Sequence, residues 1–140
     1  MPSATPADVL AQRRRALLSG DADGFADLFA PDGVIELPFA PPGAPSRLEG
    51  REAIREYSRH VLALPLRLED FEVAELYQTQ EAEVVIVEMR TRATLTTTGQ
   101  SFTATSIQIL RIREGQIVLF RDFANPRVLE DITKEPQPES

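Results

Sequence analysis

The sequence predicts an α+β fold in which an antiparallel sheet packs against three N-terminal helices. Three observations carry this expectation. Apolar residues recur at helical spacing in three stretches of the first 64 residues. From Leu66 onward the pattern changes to period two with β-branched composition, in four successive segments. Helices followed by a run of strands segregate the helices to one face of the sheet.

The first helix is expected over residues 7–19, where Val9, Leu10, Ala11, Leu17 and Leu18 are apolar. Thr5, Pro6 and Asp8 supply its cap and first turn, and Gly20 its stop. A second helix is expected over 21–30, with Phe25, Leu28 and Phe29 on one face. Pro31-Asp32-Gly33 is turn chemistry. A short strand follows over 34–39, cut off by Pro41, Pro42 and Pro45. The loop 40–50 is long for a compact domain, and it serves either as cover for a pocket mouth or as a plain connector. A third helix is expected over 50–64, burying Ile54, Tyr57, Val61 and Leu64, with His60 at the border of that face and Pro65 ending it. The four strands are placed at 66–78, 82–97, 101–113 and 116–124, with Asn125-Pro126 stopping the last. After a short helical turn, the segment KEPQPES is polar and proline-bearing. One domain over 1–130 and a disordered tail over 131–140 are therefore expected.

Composition removes several function classes. A chain of 140 residues with 42% apolar side chains is one domain's worth, able to bury roughly two-thirds of its unfolded surface. No stretch approaches the ~18 uninterrupted apolar residues of a membrane span, and the N-terminus lacks the charged-then-apolar order of a signal peptide. The absence of cysteine removes disulfides, thiol nucleophiles and zinc–cysteine sites, and a single histidine, His60, removes multi-histidine metal sites. A net charge of −7 opposes a nucleic-acid partner, which needs a basic footprint. Phosphate loops, nucleophile elbows and metal-ligand spacings are missing. A cytoplasmic protein without metal or cofactor is expected.

The strands VVIVEM and IVLFRDF are apolar at successive positions, whereas a sheet with one wet face should alternate. Both faces are therefore expected to be covered, one by the helices and the other by a second subunit, making a homodimer through the outer sheet face.

The stretches GDADGFADLFAPDGVIELPF (20–39), LEGREAIREY (48–57) and GQIVLFRDFANP (115–126), together with the element order, resemble the SnoaL-like branch of the nuclear-transport-factor-2-like superfamily. Its members include ketosteroid isomerases, polyketide cyclases, limonene epoxide hydrolase and the phenazine-biosynthesis A/B proteins. The resemblance covers residues 7–130 and implies a cone-shaped, curved sheet. It specifies the fold more than the activity, because this scaffold hosts catalysts and binders alike.

Residue by residue, the resemblance is uneven. The general-base Asp of ketosteroid isomerases falls at Leu37, with Glu36 one place earlier, and their oxyanion-hole Tyr and Asp fall at Arg13 and Gln108. The Arg-Asp-aromatic run of limonene epoxide hydrolase is matched by Arg121-Asp122-Phe123, but its preceding Arg and second Asp appear as Met89 and Thr91. The phenazine A/B proteins are similar through FEVAELYQTQEAEVVIVEM (71–89) and RDFANP (121–126). Their acid–base Glu falls at Asp122 and their helix His at Tyr57, next to His60.

Among candidate residues, Asp122 stands out. It follows an apolar run on a strand expected to be covered, where burial pushes a carboxyl toward useful acid–base range. The alternative is a structural pair with an arginine. Tyr57 and His60, three apart on one helix, are candidates to polarise a carbonyl or shuttle a proton; the bland reading is a core aromatic and a flank residue. Gln108 either orients a ligand or bonds across the sheet, and Glu36 reads as a solvated strand residue. Phe25, Phe29, Leu37, Phe39, Met89 and Phe120 supply an apolar lining if they converge, or simply a core. The Arg13–Arg15 run reads as a solvated helix face, because three consecutive helical positions cannot share one side. Arg90 and Arg92, with Glu88, read as an ion-paired edge or a dimer contact.

The expected function is cofactor-independent proton transfer, an isomerisation or cyclisation, on a small apolar carbonyl compound. Asp122, Tyr57 and His60 would be catalytic, with Phe25, Phe29, Leu37, Phe39, Met89, Gln108 and Phe120 lining the substrate site. Two alternatives remain at this point: a non-catalytic small-molecule binder or dimeric assembly module, and an epoxide-hydrolase-like enzyme.

Overall fold

The computed structural model describes residues 4–125; the expected helical turn past Pro126 and the tail 131–140 lie outside them. In chain order the elements are α1 (Pro6–Leu18), α2 (Ala22–Ala26), β1 (Phe29–Glu36), β2 (Arg47–Glu49), α3 (Arg51–Leu62), β3 (Leu66–Gln78), β4 (Val84–Leu95), β5 (Ser101–Arg113) and β6 (Gln116–Phe123). The architecture is α+β, as the sequence predicts.

Local chemistry explains the helix starts. Thr5 caps α1 through a reciprocal box: its hydroxyl accepts from the Asp8 N–H at 3.2 Å, and its own N–H donates to the Asp8 carboxylate at 3.0 Å. Pro6 occupies the first turn, where a missing N–H costs nothing. Helix α2 is capped by Asp21 and ends at Ala26, short of the predicted boundary at residue 30. The residues beyond it are drawn into the sheet, because Ile117 N–H donates to the Leu28 carbonyl and Phe29 registers with Ile117.

The six strands form one sheet in the order β2-β1-β6-β5-β4-β3. Four neighbouring pairs are antiparallel, but β1 and β6 run parallel, so the sheet is mixed rather than wholly antiparallel. The predicted turn Pro31-Asp32-Gly33 lies inside β1, where the register with β6 shifts between Phe29 and Val34. Gly33 is required there: a Cβ would stand 2.9 Å from the Ile117 carbonyl oxygen and 3.0 Å from that of Ala30. Further register shifts in β3, at Leu68/Asp70 and Val73/Glu75, and between Arg111 and Ile112 in β5 bend the sheet. The loop 40–50 contains β2, which pairs with β1 and returns the chain to α3.

The core lies between the helices and the inner sheet face. In β4, Val85, Val87 and Met89 are buried while Val84, Ile86 and Glu88 are only partly covered, so burial alternates where hydropathy does not. Phe25 meets Phe29 edge-on at 5.3 Å, and Phe29 stacks on Phe120 at 6.5 Å. Arg55 holds α2 to α3, reaching Asp23 at 3.1 Å and Asp27 at 2.8 Å.

Three side chains depart from expectation. Arg13 is 0% exposed, although the two arginines that follow it, Arg14 and Arg15, are exposed. The spacing of Val9, Arg13 and Ala16 turns all three inward, so the run is split between two faces instead of being solvated as a whole. Leu64 lies past the end of α3 and is exposed. Glu36 is ion-paired, to Arg121 at 3.3 Å and Arg47 at 3.7 Å, because Arg121 is its register neighbour across β1–β6.

Candidate functional site

Strand alternation places Phe120 and Asp122 together on the inner face of β6, and Asp122 directly opposite Gln108 on β5. From above, α3 contributes Tyr57 and Ser58, one turn after the buried Ile54. These residues line an open-mouthed cavity of about 220 Å³ whose wall is otherwise hydrocarbon, from Leu17, Phe25, Ile35, Leu37, Val61 and Phe71. A second hollow of about 240 Å³ shares Leu37, Tyr57 and Asp122 and lies under Pro41, Ala44 and Pro45. The proline-bearing loop therefore walls a pocket. A third hollow, about 190 Å³, reaches Asp122 and Gln108 from the side of β3 and β4. Asp122 is common to all three.

Among the described residues, Asp122 Oδ1 and Gln108 Oε1 are buried acceptors without a protein donor. Such orphans are costly in an apolar interior unless a guest or water donates to them. Burial pushes the Asp122 carboxyl above its ordinary value, partly offset by a hydrogen bond from the Gln108 side chain and by the charge of Arg13. The Tyr57 hydroxyl is also raised, first by burial and then by the nearby Asp122 charge, so it stays a proton donor. Among the described residues Asp122 has no ion pair within 4 Å.

Of the sequence-predicted residues, Asp122, Tyr57, Gln108, Phe25, Leu37 and Phe120 converge on the first cavity. Phe39 lines the second hollow, 55% exposed and edge-on to Phe123. Phe29 is core, stacked behind Phe120, and does not line these hollows. Met89 is also core, its sulfur accepting from Arg13 Nη2 at 3.5 Å. His60 is exposed and outside these linings: six positions after Ile54, it points away from the buried side of α3.

Sequence reasoning missed Arg13, Ser58, Phe71 and Leu17. Helical spacing carried the signal for two of them, since Arg13 is four residues past Val9 and Ser58 four past Ile54. The positions expected from limonene epoxide hydrolase remain Met89 and Thr91; the arginine near Asp122 comes from α1 instead, and the residues lining the cavity include no second carboxylate. Among the described residues no cluster of three or more histidines, cysteines or carboxylates is arranged to hold a metal ion.

Comparison with known proteins agrees with the architecture. An uncharacterized PhzA/B-like protein of Pseudomonas aeruginosa is 40% identical over 123 residues, covering 85% of this chain and 83% of that one. A crystal structure from Bacillus subtilis superimposes with a TM-score of 0.83 at 28% identity, covering 89% of both chains. A Mycobacterium tuberculosis protein crystallised with estradiol-17β-hemisuccinate matches with a TM-score of 0.70, 18% identity and coverage of 85% and 92%, a likeness of fold alone. The SnoaL-like domain model matches residues 10–120. With that span matched and the curved sheet, helices and apolar hollow in place, this chain belongs to the SnoaL-like family.

Proposed function

We propose that this protein encloses a small, largely apolar carbonyl compound and moves a proton at the carbon next to the carbonyl, in an isomerisation or ring closure. Asp122 is the acid–base group and the Tyr57 hydroxyl donates to the carbonyl oxygen. The observation that carries this reading is Asp122 Oδ1, buried and without a donor at the meeting point of three hollows. In such a site a carboxyl is poised to exchange protons, and a fixed donor is worth more than in water. No cofactor takes part. His60, exposed on α3, is left out of the reaction.

The protein acts as a cytoplasmic homodimer in this reading. Ile86 and Ile109 are cross-strand neighbours on the outer sheet face, beside Ile107, which is 42% exposed. A second copy would cover that apolar strip.

The test needs no knowledge of the natural substrate. Incubated with 2-tetralone in deuterium oxide, the wild-type protein should accelerate exchange of the protons next to the carbonyl, followed by NMR. Asp122→Asn should lower that rate by about 10²-fold or more. Equal rates in the two proteins overturn the assignment, and tight binding of the ketone without exchange points to a plain binder.

A further inference from the structure

Arg13 is the most completely buried charge among the described residues. Its Nη2 donates to the Met89 sulfur at 3.5 Å, while Nε and Nη1 have no partner. The guanidinium carbon lies 4.9 Å from the centre of the Phe71 ring and 5.1 Å from that of Phe120. Both rings also line the cavity that holds Asp122. Aromatic faces and a thioether attract a cation weakly, but they cannot neutralise it. A buried guanidinium so poorly supplied with acceptors needs a counter-charge within reach.

We propose that Arg13 is a positioning residue of this site, whose buried charge holds the Asp122 carboxyl ionised and so makes it the proton acceptor. The first half concerns the unliganded protein alone; only the acceptor role rests on the function proposed above. Burial lowers the Arg13 guanidinium to about 10, with the Asp122 charge opposing the fall, so it stays protonated at neutral pH. The same interaction works in reverse on Asp122, against the desolvation that favours its neutral form.

Among the described residues, the other surroundings of Asp122 supply no competing cation. The side facing α3 offers the neutral Tyr57 hydroxyl, and β5 offers the neutral Gln108 amide. The neighbouring walls from β1 and β3 are Leu37 and Phe71. Arg121, adjacent on β6, projects to the opposite face and is paired with Glu36. Asn125, past the end of β6, is uncharged and lines the second hollow. Among the described residues Arg13 is thus the positive charge that acts on this carboxyl, and it acts across a gap wider than 4 Å.

The test is a carbon-13 NMR titration of the unliganded protein labelled at aspartate carboxyls, with the Asp122 signal identified by its loss in Asp122→Asn. Arg13→Met, which fills a similar volume without charge, should raise the Asp122 midpoint by at least one pH unit, a tenfold change in its protonation equilibrium. Met89→Leu, which changes packing beside Arg13 but keeps its charge, should leave the midpoint in place. An unmoved midpoint in Arg13→Met overturns the proposal, as does an equal shift in Met89→Leu. Chemical denaturation gives an independent reading should Arg13→Met alone fail to fold. Asp122→Asn strands the Arg13 charge, so Arg13→Met/Asp122→Asn should be more stable than Asp122→Asn alone. A double variant that is less stable or unfolded overturns the pairing. Loss of proton exchange in Asp122→Asn is a separate result and does not bear on this coupling.

Discussion

Gln108 and Asp122 face each other across β5 and β6, and each keeps one buried oxygen without a donor. Two unsatisfied acceptors side by side in an apolar wall mark where a polar group of a guest would be received. The Gln108 side chain also lowers the carboxyl it faces. Gln108→Leu should therefore raise the Asp122 midpoint. If the ionised form accepts the proton, the rising limb of the exchange rate should move to higher pH in this variant. A pH–rate profile with 2-tetralone checks it, and an unmoved limb would show that Gln108 does not tune the carboxyl.

The raised Asp122 carboxyl has a consequence for stability. A carboxyl whose folded-state value lies above its unfolded one stabilises the fold below the ordinary value of 3.8. That contribution is lost as pH rises through the folded value. The melting temperature of Asp122→Asn relative to wild type should consequently improve as pH is raised from below 3.8 through the titration of Asp122 and then level off. Parallel thermal melts of the two proteins across that window measure the difference.

Tyr57 and His60 should separate cleanly. Tyr57→Phe removes a donor from the cavity and should slow exchange by about 10-fold or more, in the range of a single lost site hydrogen bond to a developing charge. His60→Ala, on the exposed side of α3, should change the rate less than about twofold. Rate measurements at saturating ketone distinguish the two.

Phe29 and Gly33 should matter to folding rather than to the reaction. Phe29 is fully buried between Phe25 and Phe120, and Phe29→Ala should cost about 3–5 kcal/mol in urea denaturation. Gly33→Ala would drive a methyl group against the Ile117 and Ala30 carbonyls and should cost about 1–3 kcal/mol.

The outer sheet face gives a prediction about assembly. Ile107→Asp would place a charge in the apolar strip formed with Ile86 and Ile109. If two copies meet there, sedimentation should show a dimer for wild type and a monomer for the variant.

Much of the fold was legible because the β3–β6 hairpins are local: period-two patterning and turn residues fix where strands begin and end, and β3 and β5 fall on their expected limits. The first half of the sheet was harder to read. Strand β1 owes its early start to Phe29 and the Leu28 carbonyl, which meet Ile117 nearly ninety positions later, and no local pattern encodes that pairing. The three-residue β2 is too short to carry a period. Within the site, Asp122 and Gln108 were visible as polar breaks in apolar strands. Arg13 was hidden by its neighbours, since Arg14 and Arg15 made the run look solvated although Val9 and Ala16 share its face.

The most direct measurement is a crystal structure of the protein with 2-tetralone bound. The expected result has the ketone in the cavity between α3 and β6, its carbonyl oxygen on the Tyr57 hydroxyl and the adjacent carbon about 3–3.5 Å from Asp122 Oδ1. A ketone lodged elsewhere, or a carboxylate turned away from that carbon, would contradict the reaction assigned to Asp122.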